Sequence, residues 1–281
     1  MKTPLKERIG LIAGSGRFPI IFAENARRLG YFISAVAHVG ETTPDLEQSV
    51  DRIHWVKIGQ LNKIINAFKK DQVAQTVMLG GIKKVHAFTT LRPDLRALTM
   101  FGRLPNWNDD GILRGIAAEL ESEGIRILES TFGLDDILVS EGTLTKRSPT
   151  KKEWEDIWFA WNIAHDIGQL DIGQCIVVKN RAVIAVEAAE GTDETIRRGG
   201  RLAQNGAVVV KRCKPTQDLR FDLPAIGPTS LEQMIDVNAA VLALEAGRTV
   251  MLDREMVLKQ ANAHNVAVVG VTSSSDPSSL A

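Results

Sequence analysis

Short apolar runs alternate with amphipathic stretches through the first half of the chain. Each run ends at or beside glycine, which is typical of buried strands that stop at a turn. The runs cover residues 8–14, 32–40, 51–58 and 76–82. Between them, residues 15–31 and 59–73 carry apolar side chains at helical spacing, and so does the stretch that begins near residue 110. This alternation predicts a parallel sheet with crossover helices, so we expect a Rossmann-like domain over residues 1–135.

A polar stretch separates this half of the chain from the rest. Residues 136–147 are predicted to be a linker, and a helix follows with Ser148 or Thr150 as its cap. Residues 173–188 contain two apolar runs joined by Lys-Asn-Arg, which predicts a hairpin. The fold class expected is therefore α/β, with a second α/β domain over residues 148–272. The polar tail, residues 273–281, is predicted to be disordered.

Composition narrows the classes of function. The 281 residues include 34 basic and 34 acidic side chains, so no overall charge favours nucleic acid or anionic lipid. The two cysteines, Cys175 and Cys213, are typical of a protein from a reducing compartment. The sequence shows no signal-peptide pattern and no apolar run long enough to span a bilayer, so we expect a cytoplasmic protein.

Two glycine turns follow predicted strands of the first domain. Gly14, Ser15 and Gly16 come after the first strand, and Gly80 and Gly81 end the last one. Backbone amides at such positions can bind phosphate, and the carboxyl edge of a parallel sheet is where ligands gather. The third glycine and the acidic residue of a dinucleotide fingerprint are missing, so NAD binding is not expected. A phosphate contact and a plain tight turn both stay open.

Acidic and basic residues concentrate in two segments of the second half. The carboxylates and cations concerned are Glu187, Glu190, Asp193, Lys214, Asp218, Arg220 and Asp222. One or two carboxylates together with substrate phosphates can hold Mg²⁺, which makes a metal–diphosphate site one interpretation. The other interpretation is that these residues form surface ion pairs, which contribute little stability. The five histidines are too scattered to predict a zinc site.

Four segments, in order, resemble one family. They are "GLIAGSGRFP", "GQLDIGQ", "AVEAAEGTDETIRR" and "KPTQDLRFDLPAIG", and they extend across nearly the whole chain. A Gly-x-Gly turn alone is a weak signal, whereas "VEAxEGTD" followed by "KPxQxxRxDLPxIG" is specific. With these segments the chain resembles the LpxI-type UDP-2,3-diacylglucosamine pyrophosphatases of lipid A synthesis.

The resemblance implies a Mg²⁺-dependent hydrolase that splits UDP-2,3-diacylglucosamine into UMP and 2,3-diacylglucosamine 1-phosphate (lipid X). It also implies two α/β domains with a ligand cleft between them. The family's essential aspartate corresponds to Asp222, as metal ligand or general base, and Arg220 and Lys214 are expected to steady the phosphates. Glu187, Glu190 and Asp193 are candidates for the same metal cluster. The expected substrate contacts are Gly14, Ser15, Gly16, Gly80, Gly81, Gln174, Thr192 and Gln217.

Two other functions remain open on this scaffold. One is a non-catalytic protein that binds a nucleotide sugar or a lipid, and the other is a hydrolase of a different nucleotide diphosphate sugar. The expected partners are the lipid substrate and, by peripheral contact, the inner membrane surface, with no nucleic acid. Association into a homodimer is left open.

Overall fold

The computed structural model describes residues 7–82, 91–104, 109–215, 217–221 and 223–272, with the backbone alone at 109 and 110. The chain divides into two compact units. The first unit comprises Met1–Asp135 together with Asp218–Asp222, and the second comprises Asp136–Gln217 and Leu223–Ala281. The segment 218–222 therefore belongs to the first unit, although its neighbours in sequence belong to the second.

A parallel sheet forms the centre of the first unit. Its strands are β1 (Arg8–Ala13), β2 (Phe32–His38), β3 (Arg52–Val56), β4 (Gln75–Leu79) and β5 (Arg126–Ile127). They are ordered β3-β2-β1-β4-β5 and every pair is parallel, which confirms the predicted sheet. From β1 the sheet is extended on one side by β2 and then β3, and on the other side by β4 and then β5, so the order of strands reverses between β1 and β4. Open α/β sheets bind ligands at such a reversal, beyond the carboxyl ends of the strands.

Helices with one apolar face cover this sheet. They are α1 (Phe18–Arg28), α2 (Leu61–Lys70), α3 (Leu95–Arg103) and α4 (Asp109–Ser122). In α2, Leu61, Ile64, Ile65 and Phe68 are buried at the spacing that keeps them on one side of a helix. Phe68 is fully buried, and burial of such a side chain stabilises the fold by about 1.5–3 kcal/mol.

The second unit is built on a mixed sheet. Its strands are β6 (Gly142–Thr143), β7 (Cys175–Lys179), β8 (Ala182–Val186), β9 (Val208–Lys211), β11 (Val241–Glu245) and β13 (Ala267–Val271). They are ordered β6-β13-β11-β9-β7-β8, with β9, β11 and β13 parallel. The predicted hairpin is confirmed as β7 and β8. A separate parallel pair joins β10 (Ala225–Ile226) to β12 (Val250–Met251).

The two faces of this mixed sheet carry different helices. Helix α5 (Lys151–Gln169) packs on one face, where it meets Val208 and Val210 of β9. The opposite face, which includes Val209, is covered by α6 (Thr192–Ala203), α7 (Pro228–Asp236) and α8 (Arg254–Ala263). Alternate residues of one strand therefore fill two separate cores, as the pleat requires.

Helix α5 begins at a capping box. Thr150 accepts a hydrogen bond from the Glu153 backbone N–H, and the Glu153 carboxylate accepts one from the Thr150 N–H at 2.7 Å. Thr150 is thus confirmed as the cap, in preference to Ser148. Within the described ranges, none of the helices combines the length and the apolar character needed to cross a bilayer.

Candidate functional site

The two glycine turns of the first unit meet at the carboxyl ends of β1 and β4. Gly14 N donates to Leu79 O at 2.8 Å, and Ser15 N donates to Gly81 O at 2.7 Å. The Ser15 hydroxyl donates to the same Gly81 carbonyl at 2.8 Å. A Cβ atom on Gly14 would lie 2.5 Å from Gly81 O and 2.6 Å from Gly80 O, so only glycine fits there. The sequence predicted both turns, and the structure places one against the other at the reversal of strand order.

This arrangement decides what the turn amides can do. The N–H groups of Gly14 and Ser15 already donate to carbonyl oxygens of the facing strand and turn. At these two positions the structure therefore shows a tight turn. Gly16 has φ +89°, is exposed and immediately precedes Arg17, the residue at the start of α1. Phosphate contacts through Gly16 and the first turn of α1, or through Gly80 and Gly81, stay predictions.

A histidine holds the end of β1 beside the glycine turns. His38 Nδ1 lies 2.9 Å from Ala13 O, and the Thr42 hydroxyl donates to that oxygen at 2.6 Å. Burial lowers the pKa of His38, so the ring is neutral near pH 7 and Nδ1–H donates to the carbonyl. His38 was one of five scattered histidines in the sequence, and nothing in its neighbours signalled this position.

The segment 218–221 lies along the same edge of the first sheet. Ser130 N donates to Leu219 O at 2.9 Å, and the Ser130 hydroxyl lies 2.9 Å from Arg220 O and 3.2 Å from Met78 O. Met78 is in β4, two residues before Gly80. Phe221 packs against the apolar core of the first unit. The fold thus brings the "DLRF" motif next to the strand that ends in the Gly80–Gly81 turn.

Arg220 fastens this segment through its guanidinium group. Its Nε and Nη2 donate to the two carboxylate oxygens of Asp218 at 3.0 and 2.9 Å, and Nη1 lies 3.3 Å from Glu121. The group also stacks over the Phe221 ring at 4.9 Å. Hydrogen bonding from Arg220 holds the pKa of Asp218 below its ordinary value. Arg220 therefore has a structural task, and its predicted contact with phosphate stays a prediction.

Asp222, the carboxylate expected to be central, lies outside the described residues. Its sequence neighbours are described on both sides. Phe221, the residue before it, belongs to the first unit, and Leu223, the residue after it, belongs to the second. The role assigned to Asp222 therefore stays a prediction.

A chain of polar contacts lies at one edge of the second sheet. The Glu187 carboxylate accepts hydrogen bonds from the Thr192 hydroxyl at 2.8 Å and from Gln174 N at 3.1 Å. Lys211 Nζ donates to the Thr192 hydroxyl oxygen at 3.0 Å and to Ala225 O at 2.8 Å. Glu187 and Lys211 are 7% and 5% exposed, so opposite charges are buried close to one hydroxyl. Three of the predicted residues, Gln174, Glu187 and Thr192, are thereby brought together.

The other two predicted acids have separate partners. Glu190 accepts from Arg198 at 2.6 Å, and Asp193 accepts from the Ser230 hydroxyl. Contact with its own backbone N–H, followed by the bond from Arg198, lowers the pKa of Glu190. The described residues contain no group of three or more acidic, histidine or cysteine side chains arranged to hold a metal ion. The assignment of Glu187, Glu190 and Asp193 as metal ligands stays a prediction.

Lys214 and Gln217 form a turn just after β9. Lys214 Nζ donates to Asp171 at 2.6 Å, and its backbone N–H donates to the Gln217 side-chain oxygen at 3.0 Å. Glu245, at the end of β11, accepts from Cys213 N at 2.8 Å. The sequence pointed to Lys214 and Gln217 but missed Lys211 and Glu245, because a charged residue ending an apolar strand is usually solvated.

Comparison with known proteins gives matches in both halves of the chain. Residues 8–137 match the LpxI N-terminal domain and residues 140–269 match the LpxI C-terminal domain. The UDP-2,3-diacylglucosamine pyrophosphatase LpxI of Caulobacter vibrioides is 32% identical over 275 residues, which cover 94% of this chain and 97% of that protein.

Two further similarities are partial. The bifunctional purine biosynthesis protein PurH of Rhizobium rhizogenes is 26% identical over 235 residues, 74% of this chain but only 38% of that protein. The crystal structure of phosphoribosylglycinamide synthetase from Anaerococcus prevotii superposes with a TM-score of 0.25 at 10% identity, over 68% of this chain and 34% of that one.

Proposed function

The chain belongs to the LpxI family, and on that basis we propose that it hydrolyses UDP-2,3-diacylglucosamine to UMP and 2,3-diacylglucosamine 1-phosphate (lipid X) in lipid A synthesis. The observation that carries the proposal is the match to the Caulobacter protein of that name, since it extends over 94% of this chain and 97% of the relative. The family models, over residues 8–137 and 140–269, include every segment named above as a candidate site.

The first unit supports this function because the two glycine turns and the segment 218–221 lie at one edge of its sheet. The Gly14–Gly16 and Gly80–Gly81 turns leave backbone, without bulky side chains, at the reversal of strand order. A nucleotide half of the substrate can approach backbone closely there. The segment 218–221 is held at the same edge by Ser130, and Asp222 follows it directly in the sequence. We assign the reacting diphosphate to this edge.

Asp222 is proposed as the catalytic carboxylate. A diphosphate diester carries two negative charges that repel an attacking water, and a carboxylate that orients the water or accepts its proton lowers the barrier. Lys214 is proposed to steady the phosphates by exchanging its Asp171 partner for a phosphate oxygen. Arg220 is proposed to do so through Nη1, which now lies 3.3 Å from Glu121, while Nε and Nη2 stay bound to Asp218.

The Mg²⁺ requirement is proposed from the chemistry of the substrate. Diphosphate oxygens bind Mg²⁺ themselves, and a single protein carboxylate can complete such a site. The described carboxylates do not fit a preassembled metal site, because Glu187, Glu190 and Asp193 are each occupied by a different partner. No catalytic step is therefore assigned to the ion.

The test measures UMP release from UDP-2,3-diacylglucosamine presented in detergent micelles. We expect Asp222→Ala to lower kcat by about a hundredfold or more, as loss of a general base does. Asp236→Ala, which removes an exposed carboxylate at the end of α7, should stay within about twofold of the parent. EDTA should stop UMP release and added Mg²⁺ should restore it.

Three outcomes would contradict parts of this proposal. Activity of Asp222→Ala close to the parent removes Asp222 from the mechanism, and activity that survives EDTA removes the metal. Binding of the lipid nucleotide with no UMP release would favour a non-catalytic binding protein. Faster hydrolysis of unacylated UDP-sugars would favour a different substrate. A cytoplasmic location, peripheral contact with the inner membrane and a homodimer stay predictions.

A further inference from the structure

We propose that Lys211 is a positioning residue for the hydrolysis, an inference that rests on the proposed function. Its ammonium group links the Thr192 hydroxyl to the main chain at Ala225, three residues after Asp222. By holding residues 223–226, which follow Asp222 directly in the sequence, Lys211 limits the movement of the chain on that side of Asp222.

The burial of Lys211 is the first reason to look for a specific role. The residue is 5% exposed and ends β9, with Cys175 opposite it on β7. Lysine is almost never this buried unless its charge is paired. An apolar side chain of similar volume fills such a place at least as well when packing is the only need. The cation is therefore better explained by the groups to which it donates.

Those groups connect three separate parts of the second unit. Thr192 begins α6 and passes a hydrogen bond on to Glu187, which follows β8. Glu187 supplies the negative charge that offsets Lys211, with the Thr192 hydroxyl between them. Ala225 begins β10, the short strand through which the chain returns after residue 222. One ammonium thus joins β9, the start of α6 and the start of β10.

The return point is packed through the buried side chains of Leu223 and Ile226, and its backbone is attached by short pairings. Strand β10 has two residues and forms a two-stranded sheet with the equally short β12. Val250 N donates to Pro224 O at 2.9 Å and Leu252 N donates to Ile226 O at 2.8 Å, on the two sides of Ala225. The bond from Lys211 to Ala225 O, at 2.8 Å, completes this attachment. Its loss should let residues 223–226 shift, and an error of about 1 Å at a reacting group can cost up to a hundredfold in rate.

The experiment compares Lys211→Met, which keeps the length but removes the charge, with Lys211→Arg, which keeps charge and donors. The matched control is Lys179→Met. Lys179 also donates to a backbone carbonyl and to a side chain, Ala203 O at 2.8 Å and Asn205 at 3.2 Å, but it ends β7 at the opposite edge of the same sheet.

Two measurements are made on the full-length protein. Steady-state UMP release should show kcat of Lys211→Met lowered by roughly ten- to hundredfold with KM within about threefold, and Lys211→Arg partly restored. Amide hydrogen exchange should show Val250 and Leu252 exchanging at least about fivefold faster in Lys211→Met than in Lys179→Met. Lys179→Met should retain kcat within about twofold.

The results separate this inference from the proposed function. If the parent releases no UMP, the proposed function fails, and hydrogen exchange alone decides whether Lys211 holds β10. If the parent is active but Lys211→Met keeps its kcat, or changes only KM, the positioning role is overturned. If Lys211→Met does not fold, the kcat values of Lys211→Arg and Lys211→Gln are compared instead. The arginine variant is expected to have the higher kcat. Equal rates in those two variants would also overturn the proposal.

Discussion

Replacement of Gly14 by alanine tests whether the two glycine turns form one rigid element. The new Cβ would lie 2.5 Å from Gly81 O and 2.6 Å from Gly80 O. An ordinary contact begins near 3.4 Å, so one turn must move by about 0.9 Å. The obstructing atoms belong to the backbone and cannot rotate away, so the shift must open the contacts between the turns.

The size of the effect follows from those contacts. Three hydrogen bonds join the turns and the strand end: Gly14 N to Leu79 O, and the Ser15 amide and hydroxyl to Gly81 O. Each contributes about 1 kcal/mol, and overpacking adds about 1–3 kcal/mol. If relaxation preserves part of the bonding, we expect a loss of about 2–5 kcal/mol for the first unit. This is a large share of a typical domain stability of about 5–15 kcal/mol.

Differential scanning calorimetry can measure this loss. Two compact units can unfold in separate transitions, and only the transition of the first unit should move, downward by roughly 5–15 °C. The control is Gly102→Ala in α3, where an added Cβ meets no atom within 4 Å, so its transition should stay or rise slightly. An unchanged transition for Gly14→Ala, or an equal drop for Gly102→Ala, would refute the reasoning. The KM for the nucleotide substrate should also rise in Gly14→Ala if this edge binds it.

Two further predictions concern buried ionisable groups. Burial opposes ionisation of the Asp71 carboxyl, but hydrogen bonds from His54, Ser34 and Arg52 outweigh this effect and lower its pKa. The ionised carboxylate therefore stabilises the fold above the ordinary pKa of aspartate, and this stabilisation is lost as pH falls through the pKa of the folded state. The difference in unfolding free energy between the parent and Asp71→Asn should therefore shrink as pH falls below about pH 4. A difference that stays the same from about pH 5 to about pH 2 would contradict this. Burial raises the pKa of the Cys175 thiol to about 12, so a thiol reagent at about pH 8 should label it only after unfolding, and mass spectrometry that finds Cys175 labelled in the native protein would contradict the burial.

The centre of the first sheet could be predicted because β1, β2 and β4 are buried on both faces. Each strand is then a nearly continuous apolar run, and the runs at β1, β2 and β4 stop at glycines that the turns require. Helix α2 could be predicted equally well, since Leu61, Ile64, Ile65 and Phe68, four of its five buried residues, keep helical spacing. Helix α3 was not predicted, because Leu95 and Leu98 are exposed and only Ala97 and Met100 of its residues are buried.

The site was predictable residue by residue but not as an arrangement. Glycine at positions 14 and 80 indicated turns, yet no local pattern says that their backbones touch. Residues 218–222 were assigned to the second domain by sequence continuity, whereas their contacts group them with the first unit. Such long-range placement depends on Ser130, which lies 90 residues before Arg220. Lys211 was missed for a similar reason, since its burial depends on acceptors from distant parts of the chain.

Within the "DLRFD" motif, each of the first four residues makes a contact that holds the segment in place. Asp218 and Arg220 hold each other through two hydrogen bonds, and Phe221 anchors the segment in an apolar core. Leu219 contributes its carbonyl to Ser130 N. These contacts hold residues 218–221 in place without a bound substrate. Ordering residues 218–221 costs conformational entropy, which these hydrogen bonds and the burial of Phe221 offset. A segment ordered in this way keeps the chain still next to Asp222, as the role proposed for that residue requires.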